Sequence, residues 1–182
     1  MEGFVIFLIA AVVLLIITAT YSIPIINSVE RAKARVDEAL SNVDVALTRR
    51  YDQTSQLADA CKAHMSHEHS IILDAASIRC TGKTVEEMQK TDEEITELLS
   101  QIRINAEAYP ALTSSPLFVN LLKSIDDTEV NLQAARRLYN SNASTFNSAR
   151  REIPTCFFAR RYPEYDLFRA QSYKRELPTL RF

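Results

Sequence analysis

The densest group of chemistry-bearing side chains in the chain is His64-Met65-Ser66-His67-Glu68-His69. On a helix, His64, His67 and Glu68 fall at i, i+3 and i+4 and share one face. Two imidazoles and a carboxylate at that spacing can converge on zinc or another first-row metal. Peptide hydrolysis does not follow, because the metalloprotease arrangement H-E-x-x-H needs a histidine at position 71 and Ile71 stands there. Histidines also sit commonly on solvated helix faces, and that plain reading is preferred to a metal site. The chain has two glycines, Gly3 and Gly82, so none of the glycine-rich phosphate or dinucleotide loops and no G-x-S-x-G elbow can be written in it. No basic stripe with interleaved aromatics points to nucleic acid. The sequence therefore offers no catalytic residue and calls for no cofactor.

A second candidate is structural. Apolar residues recur at Val29, Ala32, Val36, Leu40, Val43, Leu47, Leu57 and Cys61, alternating between three and four along the seam of an amphipathic helix. The positions after Leu47 on this stripe are Arg50 and Thr54, so the seam turns polar there. Arg50, with Arg49 beside it, is expected to meet Glu107, Asp127 or Glu129 in a buried polar layer, which fixes register more than it adds stability. The alternative is that these long side chains reach along the surface to water.

These residues need helices to place them. The first soluble helix is read from Asn27 or Ser28 to about Ser77, with its stop at Cys80-Thr81-Gly82. The second starts at Thr84, where Glu87 completes a capping box, and runs on Val85, Met88, Ile95, Leu99, Ile102 and Ala106 to a stop at Pro110. Its Glu86, Glu87, Asp92, Glu93, Glu94, Glu97 and Glu107 read as a solvated acidic face. The third starts at Ser115-Pro116, runs on Phe118, Leu121, Ile125, Leu132, Ala135, Tyr139, Phe146 and Ala149, and stops at Pro154. An aromatic segment follows, with room for one short helix.

Ahead of these helices, Phe4–Ile26 carries no charge over 23 residues. At ~1.5 Å per residue this is roughly 34 Å of helix, enough to cross ~30 Å of hydrocarbon. The leading Met-Glu-Gly lacks the basic start of a cleaved signal, so a retained anchor is expected. Arg31, Lys33 and Arg35 follow the span and only Glu2 precedes it, which places the N-terminus outside and the body in the cytoplasm. The expected division is an anchor over 1–26, a bundle over 27–154 and an aromatic, basic segment over 155–182. Residues 150–182 hold eight bases and four acids, a balance that suits either anionic lipid or simple solvation. Cys61, Cys80 and Cys156 are odd in number and widely spaced, so no disulfide framework is read, and Cys61 is expected as a small core residue.

The fold class expected is all-α: an N-terminal transmembrane helix, then an antiparallel bundle of three long helices. A short link at Gly82 makes the first two soluble helices antiparallel neighbours. The second then covers the first only back to about residue 55. The third can cover more of it, depending on the path of residues 110–115, but the membrane-proximal seam of Val29, Val36, Leu40 and Val43 is still left open, and such a face is expected to meet a second copy of the chain.

The stretch Ser41-Asn42-Val43-Asp44-Val45-Ala46-Leu47-Thr48-Arg49-Arg50-Tyr51-Asp52 resembles the signature of the LemA family of bacterial membrane proteins. His67-Glu68, Ala106-Glu107-Ala108-Tyr109-Pro110, Asp127-Thr128-Glu129, Ala135-Arg136 with Tyr139-Asn140, Phe146-Asn147 and Ile153-Pro154 follow in the family's order, so the resemblance covers about residues 1–168. The proline usual after the Arg-Arg-Tyr-Asp segment is missing from Gln53-Thr54-Ser55-Gln56, and Ile153 replaces a common phenylalanine. The resemblance implies a single N-terminal anchor with an antiparallel helical bundle and no enzymatic activity. One branch belongs to magnetosome membranes, which implies a role in organising or shaping membranes. The expected protein is a self-associating scaffold or adaptor of the bacterial inner membrane, in contact with lipid and with an unidentified membrane protein. Membrane shaping is the first alternative and a metal-responsive sensor built on His64–His69 the second.

Overall fold

The computed structural model describes residues 2–62 and 84–169. Five helices lie in them: α1 (Glu2–Lys62), α2 (Val85–Ala106), α3 (Pro110–Thr113), α4 (Pro116–Ala149) and α5 (Cys156–Ala159). No strand occurs among the described residues, in line with the all-α expectation. The apolar span and the first soluble helix are a single helix of 61 residues with Pro24 inside it. Only two long helices therefore follow α1, not three. Proline removes one backbone donor and crowds the carbonyl four residues back, which costs a helix but need not end it when both flanks continue strongly. The expected end of this helix near Ser77, and the stop at Cys80-Thr81-Gly82, lie outside the described residues.

The helix starts read from sequence are observed for α2 and α4. The Thr84 hydroxyl accepts from the Glu87 amide at 3.2 Å, and the Glu87 carboxylate accepts from the Thr84 amide at 3.1 Å, satisfying two donors that the first turn leaves open. At the start of α4 the Val119 amide donates to the Ser115 carbonyl. Both C-terminal ends come earlier than expected. Helix α2 stops at Ala106, and Pro110 instead opens the short α3, using its fixed φ at a first helical position. Helix α4 stops at Ala149, where the Thr155 hydroxyl donates to the last carbonyl at 2.7 Å.

Two compact units divide the chain, one of Met1–Ala39 with Ser141–Tyr165 and the other of Leu40–Asn140 with Asp166–Phe182. In the second unit, Leu47, Leu57 and Cys61 of α1 are buried with Ile95 and Ile102 of α2, Leu112 of α3, and Ile125, Leu132 and Tyr139 of α4. Each such side chain contributes ~1.5–3 kcal/mol by leaving water. Along α2 and α4, Asp92 meets Arg136 and Arg103 meets Asp126, so these helices are antiparallel. Along α1 and α4, Arg50 meets Glu129 and Gln53 meets Ser124, so these are antiparallel too. Helices α1 and α2 therefore run the same way, and Asp92 lies opposite Arg50. This corrects the expected antiparallel pairing of those two; the link expected at Gly82 lies outside the described residues.

In the first unit the membrane-proximal part of α1 is already covered. Val29, Val36 and Ala39 are buried together with Ala143 and Phe146 of α4 and Cys156 and Ala159 of α5. Tyr162 and Tyr165 pack edge-on to Phe146, with ring centroids 6.1 and 5.2 Å away. The Asn142 amide donates to the Arg35 carbonyl at 3.2 Å. The Asn147 side chain grips Tyr165 twice, donating to its carbonyl at 2.9 Å and accepting from its amide at 3.0 Å. Glu30 accepts from both Arg161 and Tyr162. Its carboxyl is held below the usual carboxylate range, first by the Tyr162 hydroxyl and then by the Arg161 and Lys33 charges.

Candidate functional site

The apolar seams of three helices converge in the second unit on charges rather than on methyl groups. Arg50 occupies the α1 stripe between Leu47 and Thr54, and only 5% of it is exposed. Asp92, 1% exposed, takes the place on α2 between Met88 and Ile95. Arg136, 6% exposed, sits on α4 between Leu132 and Tyr139. One Asp92 carboxylate oxygen accepts from Arg50 Nη1 and the other from Arg136 Nη1 at 2.9 Å. Arg50 Nη2 also lies 3.2 Å from the Glu129 carboxylate, which Gln133 steadies by donating to its other oxygen at 2.8 Å. Two arginines and two carboxylates thus balance to zero charge inside the core.

A neutral polar layer lies beside this cluster. Gln53 donates to the Ser124 hydroxyl at 2.8 Å and accepts from the Thr128 hydroxyl at 2.8 Å. On the other side, Phe168 covers Arg136, whose guanidinium carbon is 5.2 Å from the ring centroid. Phe168 is held in turn by Asn140, which donates to its carbonyl and accepts from its amide, both at 2.9 Å. The Tyr139 hydroxyl donates to the Asp166 carbonyl at 3.0 Å. A half-open groove of about 850 Å³ runs between this strap and α2, with Val85, Gln89 and Glu93 on one wall and Asp92 and Arg136 at its base.

This arrangement holds helices in register and has no evident chemistry of its own. Asp92 is engaged by two guanidiniums and is not placed as a proton acceptor for anything in the groove. No nucleophile stands beside a base there. The Cys61 thiol is fully buried, and burial pushes it up to about 11, which keeps it protonated and unreactive near neutrality. Cys156 is likewise buried. No group of histidine, cysteine or carboxylate residues able to hold a metal occurs among the described residues.

The sequence-based site residues fare unevenly. Arg50 and Glu129 lie 3.2 Å apart. Glu107 and Asp127 are exposed, as is Arg49, so the cluster's central carboxylate is Asp92 and its second base is Arg136. Glu107 falls just past the end of α2, and Asp127 precedes the buried Thr128 and so faces away from the seam. Reading register before charge would have found Asp92, because Val85, Met88, Asp92, Ile95, Leu99, Ile102 and Ala106 form one unbroken three-four stripe. Val29, Val36 and Val43 are buried and Leu40 is half-buried. The seam expected to bind a second copy is therefore closed by the chain's own residues. His64, His67 and Glu68 lie outside the described residues. The acidic face of α2 is solvated at Glu86, Glu87, Glu93 and Glu97.

The family model of LemA matches residues 39–182. The chain belongs to the LemA family. No curated protein matches it. The LemA match begins inside α1 and takes in every member of the ion cluster and both walls of the groove. The apolar span precedes the match. Helix α1 is the one described helix long and apolar enough to cross a membrane, and none of its apolar window is packed against the protein. LemA membership and that helix together make this a membrane-associated, all-helical protein.

Proposed function

We propose that the protein is a membrane-anchored scaffold or adaptor of the bacterial inner membrane, with the N-terminus outside and the helical body in the cytoplasm. The observation that carries this reading is the continuity of α1. One uninterrupted helix supplies the apolar span and then buried seam residues of both compact units. An anchor that merely tethered a domain would be joined to it by a flexible linker. Here the residue after the span is already helix, and three residues past Ile26 the seam is buried at Val29. The basic residues Arg31, Lys33 and Arg35 support the cytoplasmic side.

A scaffold works through a surface, so its partner is sought by contact. Photoreactive residues at the exposed positions Ile104 and Val130, in full-length protein in native membranes, are expected to give discrete adducts with membrane proteins. Adducts at neither position, with the protein correctly inserted, would count against the adaptor role. A C-terminal reporter fusion active only outside the cytoplasm tests the topology, and activity there overturns it.

A further inference from the structure

We propose that residues 150–161 of the first unit form a wedge that docks on the surface of the same phospholipid bilayer that α1 enters. Helix geometry sets the level of this loop. Asn142 of α4 bonds the carbonyl of Arg35 on α1, and the two helices run in opposite directions. Seven residues further along α4, Ala149 is therefore level with about Ser28 of α1, only ~3 Å along the axis beyond Ile26, the last residue of the apolar run. The chain then turns on the Thr155 hydroxyl, which donates to the Ala149 carbonyl, and α5 begins at Cys156. Glu30, four residues past the run, holds the far end of the loop through Arg161 and Tyr162. Both ends of the loop are thus fixed at the level where hydrocarbon gives way to headgroups.

The loop's own side chains fit that level. Ile153 is 82% exposed and Phe157 76% exposed, although Cys156 and Ala159 beside them are buried. Two large apolar side chains held out by a closed loop have no protein to cover them among the described residues. Arg150, Arg151, Arg160 and Arg161 flank them. Arg151 and Arg160 are exposed; Arg151 pairs with Glu164 at 2.9 Å, which leaves Arg160 as the arginine whose long stem can lie along apolar surface while its head meets phosphate. An apolar pair rimmed by arginines at the end of a span is the chemistry of interfacial docking. The half-burial of Ile25 and Ile26 shows that protein, not only lipid, covers α1 at this depth. The wedge thus continues the membrane surface of the anchor on which it rests.

The chain contains no tryptophan, so a single introduced indole reports on its own site. Four full-length variants are needed, reconstituted in mixed phosphatidylcholine–phosphatidylglycerol vesicles: Ile153→Trp and Phe157→Trp in the wedge, Tyr21→Trp in the span, and Ala34→Trp on the exposed side of α1, ~12 Å beyond Ile26. Lipids brominated in their acyl chains are expected to lower emission at least about twofold for the first three and to leave Ala34→Trp nearly unchanged, as for side chains buried at the headgroup–acyl boundary. Quenching of Tyr21→Trp alone overturns the wedge and leaves the anchor standing. No quenching of Tyr21→Trp overturns the anchor, and the wedge with it. Both wedge positions are highly exposed, so neither substitution disturbs packing.

Discussion

Replacing Asp92 with asparagine keeps the side chain's size and removes one negative charge from a place that water scarcely reaches. Before the change, Asp92 accepts from Arg50 and Arg136 and is 1% exposed. Afterwards, two buried guanidiniums face a single carboxylate, Glu129, which of the two lies beside Arg50. Arg136 then keeps the Phe168 ring but no carboxylate among the described residues. Removing one partner of a buried pair costs ~3–5 kcal/mol, because the remaining charge stays desolvated. With ~2–4 °C lost per kcal/mol in a chain of this size, the melting temperature should fall by roughly 6–20 °C. Thermal melts of full-length protein in mild detergent, followed by circular dichroism at helical wavelengths, measure this directly. A double variant adding Arg136→Leu to Asp92→Asn should recover part of the loss, giving a coupling of ~1 kcal/mol or more. An Asp92→Asn melt within about 2 °C of the parent, less than 1 kcal/mol by the same conversion, would refute the claim that this carboxylate balances buried charge.

Three further outcomes are expected. Asn140→Ala removes two hydrogen bonds to the Phe168 backbone, worth together ~1–3 kcal/mol; hydrogen exchange at the Phe168 amide should quicken by roughly tenfold or more, while slow exchange would show that the strap is held otherwise. Thr84→Ala deletes half of the capping box and should cost ~0.5–2 kcal/mol in the same melts. With Cys80→Ser and Cys156→Ala in the background, native Cys61 should react with iodoacetamide near pH 8 at least about 100-fold more slowly than the unfolded chain, because burial raises its thiol to about 11. The sign of the linked stability follows. The unfolded thiol loses its proton first, so the Cys61 contribution is intact below about pH 8.5 and declines as pH rises toward 11; reagent reacting at the unfolded rate would contradict both statements.

Local rules carried most of what the sequence revealed. Thr84 with Glu87, and Ser115 with Pro116, announce helix starts through chemistry contained within one turn, and both are where the rules put them. The apolar run of α1 is a matter of length and composition alone. What failed depended on which helix meets which. The expectation that α2 would sheathe α1 rested on a short link, and it left Val29 and Val36 bare. Helix α4 instead runs antiparallel to α1, and its second half with Tyr162 and Tyr165 closes that seam. By type Asp92 falls with its acidic neighbours, whereas by position it falls on the buried stripe. Glu93 and Glu97 beside it are solvated; one residue's rotation about the helix axis separates a surface charge from a core one. Arg136 is legible by position in the same way, since Leu132, Arg136, Tyr139, Ala143 and Phe146 keep the three-four spacing.

A charged cluster at a three-helix junction needs a reason, since apolar residues of similar volume are often as stabilising or more so. The reason lies in what an apolar seam fails to specify. Val36, Val43, Leu47 and Leu57 on α1 would pack acceptably if α4 slid by one turn, because hydrophobic contact is non-directional. Arg50, Asp92 and Arg136 permit only the register in which one carboxylate meets two guanidiniums. Gln53, Ser124 and Thr128 repeat the restriction between α1 and α4 with directional bonds. A slip of α4 by one turn would part Arg136 from Asp92 and both Ser124 and Thr128 from Gln53, each lost partner of a buried group costing ~1–3 kcal/mol, and more for the charged ones. The cluster therefore fixes the register of α1, α2 and α4 within the second unit.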